Sequence, residues 1–216
     1  MLTVLNTSLA KILSAVFHPL LMPTLLLGLL FLAAPSTVGV ATFAPSTRLS
    51  ILALVLISTF LMPSLLIYYF YRLGFVKSLE LKTLPDRRLP YFTSVGIYGF
   101  ATYFFGTRLG ALSEIAPQIA LVLGSITVSI FLVALISLRW QISAHAVGMS
   151  GVVGAITAIA TRFGENALVY PLIGFLIIMG YVAAARLHLN AHTPAQIFAG
   201  LMLGFLVSVA TVVLFF

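Results

Sequence analysis

Long apolar stretches are the feature of this sequence that most restricts its fold. Between charged residues and Pro or Gly breaks, runs of about 20 mostly apolar residues recur along the chain. There are seven such runs, at residues 9–34, 49–71, 91–110, 116–138, 144–161, 168–187 and 193–216. Because the bilayer core offers no water to backbone groups, such runs cross a membrane as α-helices. The sequence therefore predicts an all-α, polytopic transmembrane bundle of about seven (six to seven) helices.

The composition favours a single membrane domain over residues 1–216. Of these residues, 62% are hydrophobic and 7% are charged, whereas soluble domains carry about 25% charged residues. Eleven Lys and Arg and four Asp and Glu are too few for the dense basic face that binds nucleic acid, so we expect no nucleic-acid partner. The absence of Cys excludes disulfides, thiolate metal sites and cysteine nucleophiles. His, Ser, Lys and Arg remain as residues that can carry chemistry.

The first run is longer than the apolar core of a secretory signal peptide, which has about 7 to 15 residues, so we expect a retained helix. Pro19 and Pro23 should kink this helix, since each lacks a backbone donor. His18 precedes the first of them. We interpret His18 as a hydrogen-bonded interfacial histidine, with support of a catalytic group or substrate gating as the alternative.

Helix parity brings the polar connections together. With seven crossings, the connections after the second, fourth and sixth helices lie on one side of the membrane. They supply Lys82, Arg87, Arg88, Arg139, Ser143, His145, Arg186, His188, Asn190 and His192. Basic residues and histidines at one membrane face predict an anionic substrate, and a phosphate matches Arg and Lys particularly well.

These residues resemble the three-block signature of the type-2 phosphatidic-acid phosphatases, also called lipid phosphate phosphatases. The family's blocks are K-x6-R-P, P-S-G-H and S-R-x5-H-x3-D. The corresponding residues here are Lys82-x5-Arg88-Leu89-Pro90, Ile142-Ser143-Ala144-His145 and Ala185-Arg186-x5-His192-x3-Gln196. The resemblance covers roughly residues 80–205. It implies an integral membrane hydrolase of lipid metabolism that needs no metal and no cofactor.

The resemblance also implies roles for individual residues. His192 is the expected nucleophile and forms a phosphohistidine, while His145 acts first as acid and then as base. The expected phosphate ligands are Lys82, Arg88, Ser143 and Arg186. Gln196 stands where the family has Asp, and its amide orients His192 without adding charge. The expected partners are membrane lipids and a lipid phosphate substrate: phosphatidic acid, phosphatidylglycerol phosphate, a polyprenyl diphosphate or a lipid A phosphate.

Three other interpretations remain open at this stage. Gln196 and the irregular first block fit a weakly active or inactive phosphate-lipid binder or transporter. Gly148-Met149-Ser150-Gly151 resembles the serine motif of rhomboid-type intramembrane proteases, with His192 as base. His188 and His192 form H-x3-H and, with His145, contain the donors of a three-histidine zinc site.

Charge counts leave the orientation open in the expected cell (inner) membrane. The side of the candidate site carries eight basic residues, Lys11, Arg72, Lys77, Lys82, Arg87, Arg88, Arg139 and Arg186, against Arg48, Arg108 and Arg162 opposite. This bias predicts a cytoplasmic site. Without Lys82, Arg87, Arg88 and Arg186, which could bind the phosphate, the balance is four to three, and the resemblance implies a periplasmic or extracellular site.

Overall fold

The computed structural model describes residues 6–216, and this part of the chain contains helices and loops but no β-strand. The α-helices are α1 (Thr7–Val16), α2 (Met22–Ala33), α3 (Pro45–Leu56), α4 (Met62–Arg72), α5 (Leu84–Thr107), α6 (Ala111–Ile115), α7 (Pro117–Ile136), α8 (Ala144–Phe163), α9 (Val169–His188) and α10 (Pro194–Phe215). Short 3₁₀ turns precede α2 and α9, and a π-helical turn joins α3 to α4. The predicted all-α bundle is confirmed.

Within residues 6–216, six segments are long and apolar enough to cross a membrane. They are Thr7–Ala33, Pro45–Arg72, Pro117–Ile136, Ala144–Phe163, Asn166–His188 and Pro194–Phe215. The remaining predicted run, residues 91–110, corresponds to α5, which packs along α7 and is about 36 Å long at ~1.5 Å per residue but is not apolar enough to be counted with these six. The chain is a multi-pass membrane protein, as its apolar runs predict.

The first span is broken where Pro19 follows His18. His18 has an extended backbone (φ −64°, ψ 136°), since the residue before a proline avoids the helical region. The 3₁₀ turn Pro19–Leu21 then leads into α2. The interruption expected at Pro19 is therefore a full break, whereas Pro23 lies in the first turn of α2, where no intrahelical hydrogen bond is lost.

Side-chain caps fix the starts of the helices that carry the candidate site. Thr83 before α5, Ser143 before α8 and Thr193 before α10 each accept a hydrogen bond from the backbone N–H three residues later. At α10, the Gln196 side chain accepts a bond from the Thr193 N–H, which completes a capping box. The first turns of these helices therefore have defined positions.

Helix α8 is the most buried span and packs closely on α10. Glycines permit this approach, because a Cβ at Gly204 would overlap the Val147 carbonyl and one at Gly200 would lie 2.8 Å from the Ser143 carbonyl. The small residues of α8 and α10 therefore form a close helix–helix contact. This contact holds the start of α8, and with it His145, against the first turns of α10.

The three site-bearing connections, residues 73–83, 137–143 and 189–193, meet at one end of the bundle. Gln141 Nε2 donates to the Lys82 carbonyl at 3.3 Å, and Arg87 Nη1 donates to the Ile142 carbonyl at 3.2 Å. At the opposite end, Thr37 bonds to Glu165. The arrangement predicted from helix parity is confirmed.

Candidate active site

A cavity of about 1220 Å³ opens at the end of the bundle where these connections meet. The polar groups on its wall include Arg87, Gln141, His145, Arg186, His192 and Gln196. Farther in, the wall becomes apolar, with Leu26, Ile126, Ile130 and Val133. The cavity therefore joins a basic, histidine-rich mouth to an apolar interior, a shape that suits a molecule with an anionic head and an apolar tail.

His192 lies on the short connection before α10 and is buried, with 9% of its surface exposed. Its Nδ1 is 3.2 Å from the Gln141 carbonyl and 3.3 Å from Gln196 Oε1. The orientation of the Gln196 amide is fixed, because Oε1 also accepts the Thr193 N–H at 3.1 Å. Both neighbours of Nδ1 are acceptors, so Nδ1 carries the proton. The neutral ring therefore keeps its lone pair on Nε2, and His192 lines the cavity.

The surroundings of His192 favour its neutral form. Burial, together with the positive charges of Arg87 and Arg186, lowers the pKa of His192 to about 4. The hydrogen bonds to Gln141 and Gln196 act in the opposite direction and are weaker. Near pH 7 the ring is thus uncharged and its Nε2 can act as a nucleophile.

Arg186, in the last turn of α9, presents unused hydrogen-bonding capacity to the cavity. Its Nη1 donates to Ser14 Oγ at 3.3 Å. Its Nε is buried and has no hydrogen-bond partner within the part of the chain that the structure describes. A buried guanidinium N–H is costly to leave unpaired, so this group is suited to an anionic ligand.

The structure brings Arg87, not Arg88, to the cavity. Arg87 is 5% exposed and donates from Nε to the Leu81 carbonyl at 2.8 Å and from Nη1 to Ile142. Arg88 is exposed and does not line the cavity. Neighbouring residues on a helix point about 100° apart, so only one of the pair can face inward. Arg87 therefore lies on the cavity wall, where the first block predicts Arg88.

Lys82 lies at the rim of the cavity and is paired with an acidic neighbour. Its Nζ is 2.9 Å from Glu80 Oε2, and the two side chains are 72% and 69% exposed. The hydrogen bond and charge of Lys82 lower the pKa of Glu80. An exposed, screened pair of this kind is weak, so Lys82 is able to exchange Glu80 for an anionic headgroup.

His145 lies in the first turn of α8 and lines the cavity beside the first span. Its Nε2 is 3.0 Å from the Ser14 carbonyl, and its ring centre is 5.6 Å from that of His18. Ser14 and His18 also line this cavity; sequence reasoning connected His18 with the site only as the alternative interpretation and did not consider Ser14. Helix parity predicts that the N-terminal end of this span, with Lys11, lies at the same end of the bundle as the candidate site. The four-residue spacing of Ser14 and His18, which places them on one face of a helix, is the sequence signal that could have identified both residues.

Ser143 does not reach the cavity. It is fully buried, and its Oγ caps α8 by accepting the Ala146 N–H at 3.4 Å. The structure thus gives Ser143 the task of starting the helix that carries His145, in place of the expected contact with phosphate. The prediction that Ser143 binds phosphate has no geometric support.

The other interpretations find little support in the geometry. Ser150 Oγ is buried between α8 and α10, where it bonds to the Val147 and Gly200 carbonyls, and it does not line the cavity. His188 is exposed and lies 3.4 Å from Thr7 Oγ1. Within residues 6–216, no three His, Cys, Asp or Glu side chains are close enough to hold a metal ion, so the proposed three-histidine zinc site does not form.

Comparisons of the chain with protein-family models, with curated proteins and with solved structures give no match. The functional interpretation therefore depends on the cavity and on the residues around it. These define a class of membrane protein in which a neutral, buried histidine and two guanidinium groups face a cavity with an apolar interior.

Proposed function

We propose that this protein is a membrane-embedded lipid phosphatase that hydrolyses a lipid phosphomonoester or diphosphate through a phosphohistidine on His192. The observation that carries the proposal is the fixed tautomer of His192, which leaves a lone pair on Nε2 of a ring that the positive charges of Arg87 and Arg186 influence. Covalent catalysis by histidine needs this combination of a free lone pair and nearby positive charge.

In the first step, His192 Nε2 attacks phosphorus and the bond to the lipid oxygen breaks. Arg186, whose Nε has no partner in the described part of the chain, and Arg87 hold the phosphoryl oxygens as negative charge spreads over them. His145 protonates the departing oxygen and afterwards takes a proton from the water that releases phosphate, a role that contributes about 10² to 10⁴ in rate. Gln196 and the Gln141 carbonyl hold the His192 ring.

The apolar part of the cavity accounts for a lipid substrate. Its wall continues from the histidines to Leu26 and Ile126, so an apolar tail can remain between the helices while the phosphate meets His192. Phosphatidic acid, phosphatidylglycerol phosphate, polyprenyl diphosphate and lipid A phosphate share this chemistry. The proposal places the enzyme in the cell (inner) membrane, with no metal required for the two steps.

Phosphate release from these lipids by purified protein in detergent tests the proposal. His192→Ala is the decisive variant, and His188→Ala is its matched control because His188 is exposed and outside the cavity. We expect release by the wild type and the control, resistance to a chelator, and loss in His192→Ala. Acid-labile labelling of the wild type by a ³²P substrate, absent from His192→Ala, would identify the phosphohistidine.

One observation favours a second function, a phosphate-lipid binder or transporter on the same scaffold. The side chain that orients His192 is the uncharged Gln196, which raises the basicity of the ring less than a carboxylate would. Lipid phosphate binding without release, equal in wild type and His192→Ala, would favour this function and contradict the enzyme proposal.

A further inference from the structure

The broken first span contributes His18 to the cavity, outside residues 80–205, where the motif blocks lie. His18 and His145 form a pair in which the rings are 5.6 Å apart and nearly perpendicular, at 80°. Both residues line the same cavity. The hydrogen bonds of the two rings determine which nitrogen atoms carry protons.

The proton of neutral His145 lies on Nε2. This nitrogen is 3.0 Å from the Ser14 carbonyl, which can only accept. Nδ1 therefore keeps the lone pair, and it has no hydrogen-bond partner among the described residues. Any further proton that His145 gains must bind to Nδ1.

His18 has the complementary arrangement. Its Nδ1 accepts the Leu20 N–H at 3.3 Å and caps the 3₁₀ turn, so its own proton lies on Nε2. While that cap is in place, neither nitrogen of His18 is free to bind another proton. The pair thus has one vacant lone pair, that of His145 Nδ1.

We propose that His18 is a positioning residue that keeps the exchangeable proton of the pair on His145 Nδ1. This inference depends on the function proposed above, in which His145 is the acid and base. By remaining neutral, His18 directs the proton to the nitrogen that serves the reaction, and its ring holds the His145 ring against the Ser14 carbonyl.

Over one catalytic cycle, His145 Nδ1 gives up one proton and takes back one proton. In the first step, protonated His145 gives its Nδ1 proton to the lipid oxygen, which receives the electron pair of the breaking P–O bond. In the second step, Nδ1 takes a proton from water while the water oxygen bonds to phosphorus. The P–N bond then breaks, and its electron pair returns to His192 Nε2.

Other groups that face His145 must be considered in any pH measurement. They are Arg186 from α9, His192 from the connection before α10 and His18 itself. Since Arg186 and His192 are unchanged in a His18 variant, a displaced pH profile in that variant reports on the pair.

Two substitutions separate the roles of the ring and the cap. His18→Asn retains an N-cap acceptor for Leu20 but removes the ring, whereas His18→Phe retains an aromatic ring but removes the acceptor. His188→Asn is the matched control, because the same change is made at an exposed histidine. Lipid phosphate turnover is measured as kcat and KM against pH, alongside the nitrophenolate burst from p-nitrophenyl phosphate.

We expect His18→Asn to lower kcat on lipid phosphates by about tenfold, to leave KM nearly unchanged and to displace the pH profile. These changes correspond to a partial loss of acid–base catalysis by His145. The nitrophenolate burst should survive, since that leaving group departs without a proton. The proposal would be overturned if His18→Asn behaved like the wild type while His18→Phe was impaired, because the cap and not the ring would then matter. It would also be overturned if His18→Asn lost lipid turnover and the nitrophenolate burst to the same extent.

Nitrogen-15 NMR of histidine-labelled protein gives a readout that does not require activity. The His145 signals, assigned with His145→Gln, should show a proton on Nε2 and a lone pair on Nδ1 in the wild type, and mixed tautomers in His18→Asn. Unchanged tautomers in that variant would contradict the positioning role. Wild-type protein that cleaves no phosphate ester, with the expected tautomers, would instead contradict the proposed function.

Discussion

The two ends of the bundle use arginine in different ways. At the end opposite the cavity, Arg48 donates to three backbone carbonyls, those of Phe31 at 3.1 Å, Ala41 at 2.8 Å and Phe43 at 3.1 Å. At the cavity end, Arg186 donates to Ser14 Oγ and has a buried Nε without a partner among residues 6–216. Arg48 therefore ties a connection together, whereas Arg186 retains donors for a ligand.

This difference shows that the presence of a basic residue at a membrane face does not identify a binding site. Both ends carry arginine, and both sets of side chains lie close to helix ends. What distinguishes them is whether protein carbonyls already satisfy the guanidinium donors, since a satisfied donor gains little from a ligand. The predictions below test that distinction, beginning with the largest expected effect.

Replacing each of these two arginines separately with alanine should affect activity in one case and stability in the other. We expect Arg186→Ala to lower phosphate release by about 100-fold or more, as removal of one donor to a developing oxyanion does, with little change in melting temperature. Arg48→Ala should lower the melting temperature, because it leaves three carbonyls without their donor, while activity per folded molecule stays constant. Thermal unfolding in detergent and phosphate release measure both effects, and similar profiles for the two variants would invalidate the distinction.

Arg87 and Arg88 offer a second comparison, between adjacent residues at the same end. Arg87→Ala should reduce phosphate release by roughly tenfold to 100-fold and also reduce stability, since its side chain joins Leu81 to Ile142. Arg88→Ala should change release by less than about twofold, as expected for an exposed side chain outside the cavity. A larger effect at Arg88 than at Arg87 would instead support Arg88 as the phosphate ligand, as the motif predicts.

Gln196 allows the charge at the cavity end to be changed without losing the helix cap. Gln196→Glu preserves the capping box and adds a negative charge beside His192 Nδ1, so the pKa of His192 should rise above its present value of about 4. The attacking form is the neutral ring, which is lost as the pH falls through this pKa. The acidic limb of the pH–activity profile should therefore move to higher pH, and an unmoved limb would show that His192 does not titrate in the reaction.

The fold was predictable because its signals are local. Each apolar run is long enough to identify its own helix, and the number of runs then places the three connections at one end. His192, Arg186 and Gln196 could be grouped in the same way, since they lie within eleven residues of one another across a single helix junction. Their proximity can therefore be predicted without knowing how the helices pack.

The remaining parts of the site depend on packing between distant segments. The choice between Arg87 and Arg88 is a matter of helix rotation, which is set where α5 meets the Ile142 carbonyl. The contact of His18 with His145 joins residues 127 positions apart and follows from the break before Pro19. Ser143 was assigned to phosphate because its motif resembles a catalytic block, whereas its buried hydroxyl caps α8.

The smallest expected effect concerns two serines at the cavity end. Ser150→Ala should leave phosphate release within about twofold of wild type, because its Oγ bonds only to helix carbonyls and is closed off from the cavity. Ser14→Ala is the matched change on the cavity wall, and it removes the partner of Arg186 Nη1 while the backbone carbonyl that holds His145 remains. We expect it to raise KM a few-fold with little change in kcat, since Arg186 is then less well oriented for the phosphate. Cleavage of a membrane-embedded peptide by the wild type, lost in Ser150→Ala and retained in His145→Ala, would contradict this expectation and support the protease interpretation instead.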